Sequence, residues 1–327
     1  MSGKRKFEEQ VAALDALRDQ PEDRRSEPLR KALNGKNNFI AAKAADLIRE
    51  FNLAALTPDL LAAFDHFFEN AEKTDPQCWA KNAISRALAG FELQDADVFL
   101  RGMCHIQLEP VWGGTSDTAG TLRATCALAL VQCRSLIEAD LLKHLIDLLA
   151  DKDKAVRVEI VRAIAQLAST QAALLLRARA VVGADEPEVL GACYAGVLSI
   201  EGAGAIPWIS RFLVAGDDAS AEAALAIAGT HSPQAFDALK ECLEKTRFAD
   251  PWFRSVVLSA IALTRQETAH EFLLDLVRQE SMDAEAAIEA LMRSLPSEET
   301  IERLEKLAAG NARLERVFAA NRKTPTD

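Results

Sequence analysis

Asp153-Lys-Ala-Val-Arg-Val-Glu-Ile-Val-Arg-Ala-Ile-Ala-Gln-Leu-Ala-Ser169 is the stretch that decides the fold. Val156, Ile160, Ile164 and Leu167 recur at helical spacing and make one apolar stripe. Asp153 stands just before the run, where a carboxylate accepts from free backbone N–H groups and faces the positive end of the helix dipole. After a turn near Ser169, a second helix is expected from about Gln171 to Val182. Two helices of this kind cannot bury both of their faces alone, so neighbouring copies are required.

Working outward, the same punctuation recurs. Asp117, Asp153, Asp185, Asp218, Asp250 and Asp283 follow one another at intervals of 36, 32, 33, 32 and 33 residues, and Asp75 precedes them by 42. Small-residue-rich runs follow: Thr121 to Gln132, Val156 to Ala168, Val189 to Ile200, Ala221 to Ala228, Phe253 to Leu263 and Ala284 to Leu295. Pro in a first helical turn costs nothing, and Asp75-Pro76, Glu186-Pro187 and Asp250-Pro251 place it there. Thr57-Pro58, Ser232-Pro233 and Ser297 read as caps of second helices. The spacing predicts an all-α chain, an α/α superhelix of about eight helical hairpins. The hairpins fall at 38–74, 75–116, 117–152, 153–184, 185–217, 218–249, 250–282 and 283–310. An amphipathic helix near Lys6 to Arg18 is expected to cap the start, so that 1–37 is a capping helix and linker with a polar break at Asp19 to Glu27. A last helix around Ala312 to Ala320 caps the end, and 311–327 closes in a frayed tail.

The D-x-x-V-R opening, Asp153, Val156 and Arg157, resembles the bacterial HEAT-like repeat of the phycobilin-lyase type. Asp250-Pro251-Trp252-Phe253-Arg254 is similar, and Asp117, Leu122 and Arg123 form a looser copy. The resemblance covers about 38–310. It implies an armadillo-like solenoid used as a protein-binding scaffold, and less often as an enzyme. Arg123, Arg157 and Arg254 keep repeat spacing, and each is expected to bond a turn Asp or the carbonyls of a neighbouring repeat.

Composition agrees with helix. Apolar residues make up 49% of the chain, Ala and Leu dominate, and there is one Tyr. A net charge of −11 argues against a polyphosphate partner, which needs clustered cations. Cys78, Cys104, Cys126, Cys133, Cys193 and Cys242 form no CxxC pair and read as buried core residues in a reducing compartment. Met1 to Lys6 is basic but no apolar segment follows, so a cytoplasmic protein with no membrane contact is expected.

Two surfaces attract attention. The long step before Asp117 inserts Leu108-Glu-Pro-Val-Trp-Gly-Gly-Thr-Ser116, read as a loop. Val111, Trp112, Gly113, Gly114, Thr115, Asp117 and Thr118 form a candidate partner anchor, since Trp is a frequent interface residue and the glycines permit close approach. The opposing reading folds Trp112 back as packing between the second and third repeats, with Asp117 as a helix cap. The second surface is the row of second helices, where Lys143, His144, Arg177, Arg179, Arg211 and Lys240 would form a basic strip. In solenoids of this kind that row lines the concave face.

No catalytic, metal or cofactor motif stands out. HEAT-type deoxyhypusine hydroxylases hold a di-iron centre through several His-Glu pairs, and His270-Glu271 is the one pair here. The expected function is therefore a non-enzymatic scaffold holding a protein or peptide. The alternative is a HEAT-like enzyme or binder acting on nucleic acid, similar to DNA glycosylases of that type, with Trp208, Arg211 and Arg177 in the groove.

Overall fold

A computed structural model describes residues 2–246 and 250–322, and they are mostly helical. They divide into two compact units, 1–167 and 168–327. The first holds α1 (Ser2–Asp15), α2 (Ser26–Leu33), α3 (Asn38–Glu50), α4 (Thr57–Phe68), α5 (Ala71–Thr74), α6 (Trp79–Gly90) and α7 (Ala96–Met103). A hairpin follows, β1 (Leu108–Val111) and β2 (Gly114–Asp117), then α8 (Gly120–Leu130), α9 (Glu138–Leu148) and α10 (Lys154–Gln166). The second holds α11 (Thr170–Val182), α12 (Pro187–Glu201), α13 (Ile206–Ser210), α14 (Asp218–Ala228) and α15 (Pro233–Lys245). It ends with α16 (Pro251–Leu263), α17 (Glu267–Arg278), α18 (Ala284–Arg293), α19 (Glu298–Ala308) and α20 (Ala312–Arg322).

Inside each unit the order is helix A, helix B. In the first unit α3, α6, α8 and α10 pack in succession, with α4, α7 and α9 each set against the next A helix. In the second, α12, α14, α16, α18 and α20 pack in succession, flanked by α11, α13, α15, α17 and α19. The A helices are rich in Ala because neighbours press on two sides. Ala41, Ala44, Ala45, Ala83, Ala127 and Ala163 are all buried at these contacts. Helix α7 lies close against α8: a Cβ built on Gly102 would lie 2.3 Å from Cys126 Sγ. Gly102→Ala is therefore expected to cost about 1–3 kcal/mol through overpacking, read as a lower denaturation midpoint in urea. An unchanged midpoint would mean that the helices separate freely.

The ladder of Asp residues does three different jobs. Asp153 and Asp250 cap α10 and α16, accepting from Ala155 N at 2.9 Å and Trp252 N at 2.8 Å. Asp117 accepts from Ala119 N at 3.0 Å just before α8. At α14 the cap is Asp217, bonded to Ser220 N at 2.9 Å, rather than Asp218, which lies inside the helix. Asp283 makes no side-chain cap bond and receives Arg254, while Asp185 accepts from Glu186 N at 2.9 Å and receives Arg179. Ser232 and Ser297 cap α15 and α19 as expected. Thr57 does not cap α4; its hydroxyl donates to Ala54 O at 2.7 Å.

Three local expectations are corrected. The segment read as a linker contains α2, whose Leu29 and Leu33 are fully buried against α3 and α4. The loop 108–116 is a two-stranded hairpin. Among the cysteines, Cys104 is exposed while the other five are buried. The apolar stretch Pro187–Leu213, long enough to cross a membrane by length and composition, turns at Gly202, where φ is +68°. Its most apolar 18-residue window is 56% buried, which suits a core helix.

Candidate functional site

The hairpin owes its shape to a glycine turn and a short antiparallel register. Gly113 adopts φ +91° and no other atom lies within 4 Å of a Cβ built on it. A positive φ at the second turn residue is what a type II turn demands of glycine. The strands pair Val111 with Gly114, Pro110 with Thr115, Glu109 with Ser116 and Leu108 with Asp117. Thr118 N donates to Gln107 O at 2.9 Å, so hydrogen-bonded pairs alternate from there. Pro110 consequently falls at a non-bonded position, its missing N–H directed outward, where a strand tolerates it. The turn then leaves Trp112 fully exposed, with Val111 and Leu108 half exposed beneath it. The packing reading of Trp112 is overturned: the indole covers no gap.

The base of the hairpin is fixed by a buried polar cluster that the sequence alone did not point to. Lys81, on α6, has no exposed side-chain surface, and neither does Asp75. Lys81 Nζ lies 3.0 Å from Asp75 Oδ2 and donates to Phe67 O at 3.1 Å and Gln107 Oε1 at 3.0 Å. The Asp75 carboxylate accepts from Ala80 N and Lys81 N, so it also caps α6. Gln107 is the keystone. Its Oε1 additionally receives Cys78 Sγ and faces His105 Nε2 at 3.1 Å. Its Nε2 donates to Asp75 O at 2.9 Å and Glu109 Oε1 at 2.6 Å. Glu109 Oε1 also accepts from Thr118 Oγ1 and Gln77 N, tying β1 to both flanking turns. Gln77 and Cys78 sit at φ +61° and +54°, a conformation that costs side-chain-bearing residues energy. The surrounding bonds hold them there.

Arg123 closes the other side. It is almost fully buried, grips Asp151 through two nitrogens at 2.7 and 3.1 Å, and donates to His105 O at 3.0 Å. Its Nη1 lies 2.7 Å from Asp117 Oδ2. Arg157 donates to Asp151 O, and Arg254 pairs with Asp283, so these arginines bond turn acids and carbonyls as expected. They are structural.

Burial pushes the Asp117 carboxyl up, but the N–H groups of Ala119 and Gln107 and the Arg123 guanidinium outweigh it and hold it below its usual 3.8. Glu109 behaves alike: burial raises it, and Thr118, Gln77 N–H and Gln107 together bring it below 4.5. Burial lowers His105 and pushes the Cys78 thiol up to about 11, so Cys78 is a protonated donor and a poor nucleophile. A carboxylate depressed on folding adds stability that is complete above its unfolded pKa and lost as pH falls through the folded one. Glu109→Gln is therefore expected to flatten the stability loss seen below about pH 4.5 relative to the parent protein. Identical acid profiles would remove Glu109 from the clamp.

Between hairpin and α6 lies a cleft of about 450 Å³ lined by Trp79, Asn82, Glu109, Val111, Thr118 and Thr121, among others. Trp79 is half exposed at its edge and stacks edge-on with Phe39 at 5.5 Å. Thr115 stands outside this lining, on β2 and exposed.

The basic-strip residues separate into different situations. Lys143 pairs with Asp140 one turn away on α9 and is exposed. Arg177 is gripped by both oxygens of Glu201 and lies over the Trp208 ring at 4.2 Å. Arg179 pairs with Asp185. Arg211 and Lys240 lie against aromatic rings instead. No group of three or more His, Cys, Asp or Glu able to hold a metal occurs among the described residues. In comparisons with known proteins, the chain matches no family model and no curated protein.

Proposed function

We propose that this chain is a HEAT-type α/α superhelix of the bacterial kind, and that it holds a protein partner through the hairpin of β1 and β2. The alternation of A and B helices, the recurring Asp caps and the Arg–Asp bonds support the repeat reading. One observation carries the functional one: a fully exposed Trp112 is mounted on a hairpin whose base is clamped by buried Lys81, Asp75 and Gln107. An exposed indole contributes nothing to this fold. Such a ring gains most when it enters a partner's pocket. A rigid mount lowers the entropy lost on binding, which is the advantage of preorganisation.

The test places a photo-crosslinking amino acid at position 112 and, as a control, at exposed position 316. A partner captured at 112 and not at 316 supports the reading. Equal capture at both, or none at 112, sinks it.

A further inference from the structure

Among the described cations of the second unit without an ion-pair partner, Arg211 and Lys240 are the two that lie over aromatic rings. The chain carries 49 acidic and 38 basic side chains, so a surface cation readily finds a carboxylate. Arg278, Arg303 and Lys245 each have one, as does Arg177 beside them. Among the described residues, neither Arg211 nor Lys240 has an ion-pair partner. Both are held by rings. The Arg211 guanidinium lies 5.1 Å from the Trp208 centroid and 5.0 Å from that of Phe212. Lys240 Nζ lies 6.0 Å from the Phe236 centroid and 5.4 Å from that of Phe272. Trp208 and Phe212 meet edge to face at 5.2 Å, and Phe236 and Phe272 at 5.8 Å, so each pair of rings braces itself. Arg211 directly follows α13, and α13 packs against α15, which carries Lys240, so the two cations stand on neighbouring segments.

A cation over an aromatic face keeps its attraction to the ring while its N–H donors stay available. The stem is already ordered, so less side-chain freedom is lost when an anion arrives. Asp237 and Glu244 flank Lys240 by a turn on α15 without reaching it, and Glu241 is taken by Lys245. These acids limit the positive field to the two cationic heads. A polyphosphate strand draws its affinity from many such contacts; two cations suit a ligand with a few separated carboxylates.

We propose that Arg211 and Lys240 form a docking site for a short acidic peptide segment. The site is independent of the hairpin and stands or falls separately. The test uses the full chain with a fluorescein-labelled hexaglutamate peptide, followed by anisotropy at low and moderate salt. Hexalysine and decathymidylate serve as competing chemistries. Binding of hexaglutamate that weakens with salt is expected. Arg211→Gln with Lys240→Gln should weaken it at least tenfold, each single change should weaken it less, and Arg162→Gln in the first unit should change nothing. Circular dichroism confirms that the variants keep their helix content; Arg211→Lys with Lys240→Arg, which keeps both charges, should retain most of the affinity. Failure of the parent chain to bind hexaglutamate overturns the proposal. So does undiminished binding by the double Gln variant, or tighter binding of decathymidylate.

Discussion

Lys81→Met is expected to destabilise the first unit by about 3–5 kcal/mol, the cost typical of breaking a buried ion pair from one side. The lost ammonium leaves the Asp75 carboxylate without its countercharge at zero exposure. It also strips a donor from Phe67 O and Gln107 Oε1, both away from water. Met fills much of the space of the Lys stem, so the effect reads as electrostatic rather than as a cavity. Thermal and urea melts followed by circular dichroism measure it. Hydrogen exchange should rise in α6 and the turns that Lys81 holds, which lie in the first compact unit. Adding Asp75→Asn to Lys81→Met should return part of the loss, since the stranded charge is then gone. A loss below about 1 kcal/mol, within the range of surface substitutions and ordinary exposed pairs, would mean that water reaches Lys81.

Arg254→Ala is expected to cost a similar amount, about 3–5 kcal/mol, in the second unit. Its guanidinium donates to Leu243 O at 2.8 Å and Thr246 O at 2.9 Å, closing the end of α15. It also grips both oxygens of Asp283 just before α18. From α16 this one side chain thus ties the end of α15 to the turn that opens α18. Arg254→Lys should recover only a fraction, because a point ammonium cannot reproduce the planar fork. Here hydrogen exchange should rise at the end of α15 and the start of α18. Full recovery by Lys would show that charge alone matters, and the bridging role would be lost.

The two substitutions also mark how far the sequence was legible. Arg254 follows Asp250 at the opening of a repeat, and its role in bonding neighbouring turns could be read from spacing. Many helices from α8 onward were readable for the same reason: α10, α11, α14, α15, α16 and α19 open on a polar side-chain cap. Lys81 gave no such sign. In Trp79-Ala-Lys-Asn82 a lysine on a helix reads as solvated, and only the return of the chain through Gln107 buries it. A side chain's burial against a segment 26 residues away is a tertiary fact that no local period encodes. The hairpin was missed because each strand is four residues long and one contains Pro110. Short strands carry too few alternations to register. The Val111-Trp-Gly-Gly114 turn was the available signal, since Gly at the second turn position fits a two-residue connection. The helix α2 escaped for want of length: eight residues hold only Leu29 and Leu33 as a buried pair. At α14 the ladder was one residue off, because Asp217 and Asp218 are adjacent and only backbone geometry decides which one caps.

What the sequence left open about residues 111 to 118 is now narrower. Asp117 and Thr118 belong to the clamp, bonded to Arg123 and Glu109, and changing them would damage the mount. Gly113 shapes the turn. Val111, Trp112 and Thr115 are the members of the candidate anchor whose side chains stay exposed and outside the clamp.

The most direct measurement is therefore calorimetric titration of the crosslinked partner, once purified, into the parent chain and into Trp112→Ala, with both melts recorded alongside. Loss of a central aromatic anchor should raise Kd at least about thirtyfold, equivalent to roughly 2 kcal/mol, while Tm stays within about 1 °C. Equal affinities, or a Tm that falls by many degrees, would contradict the hairpin as the binding element.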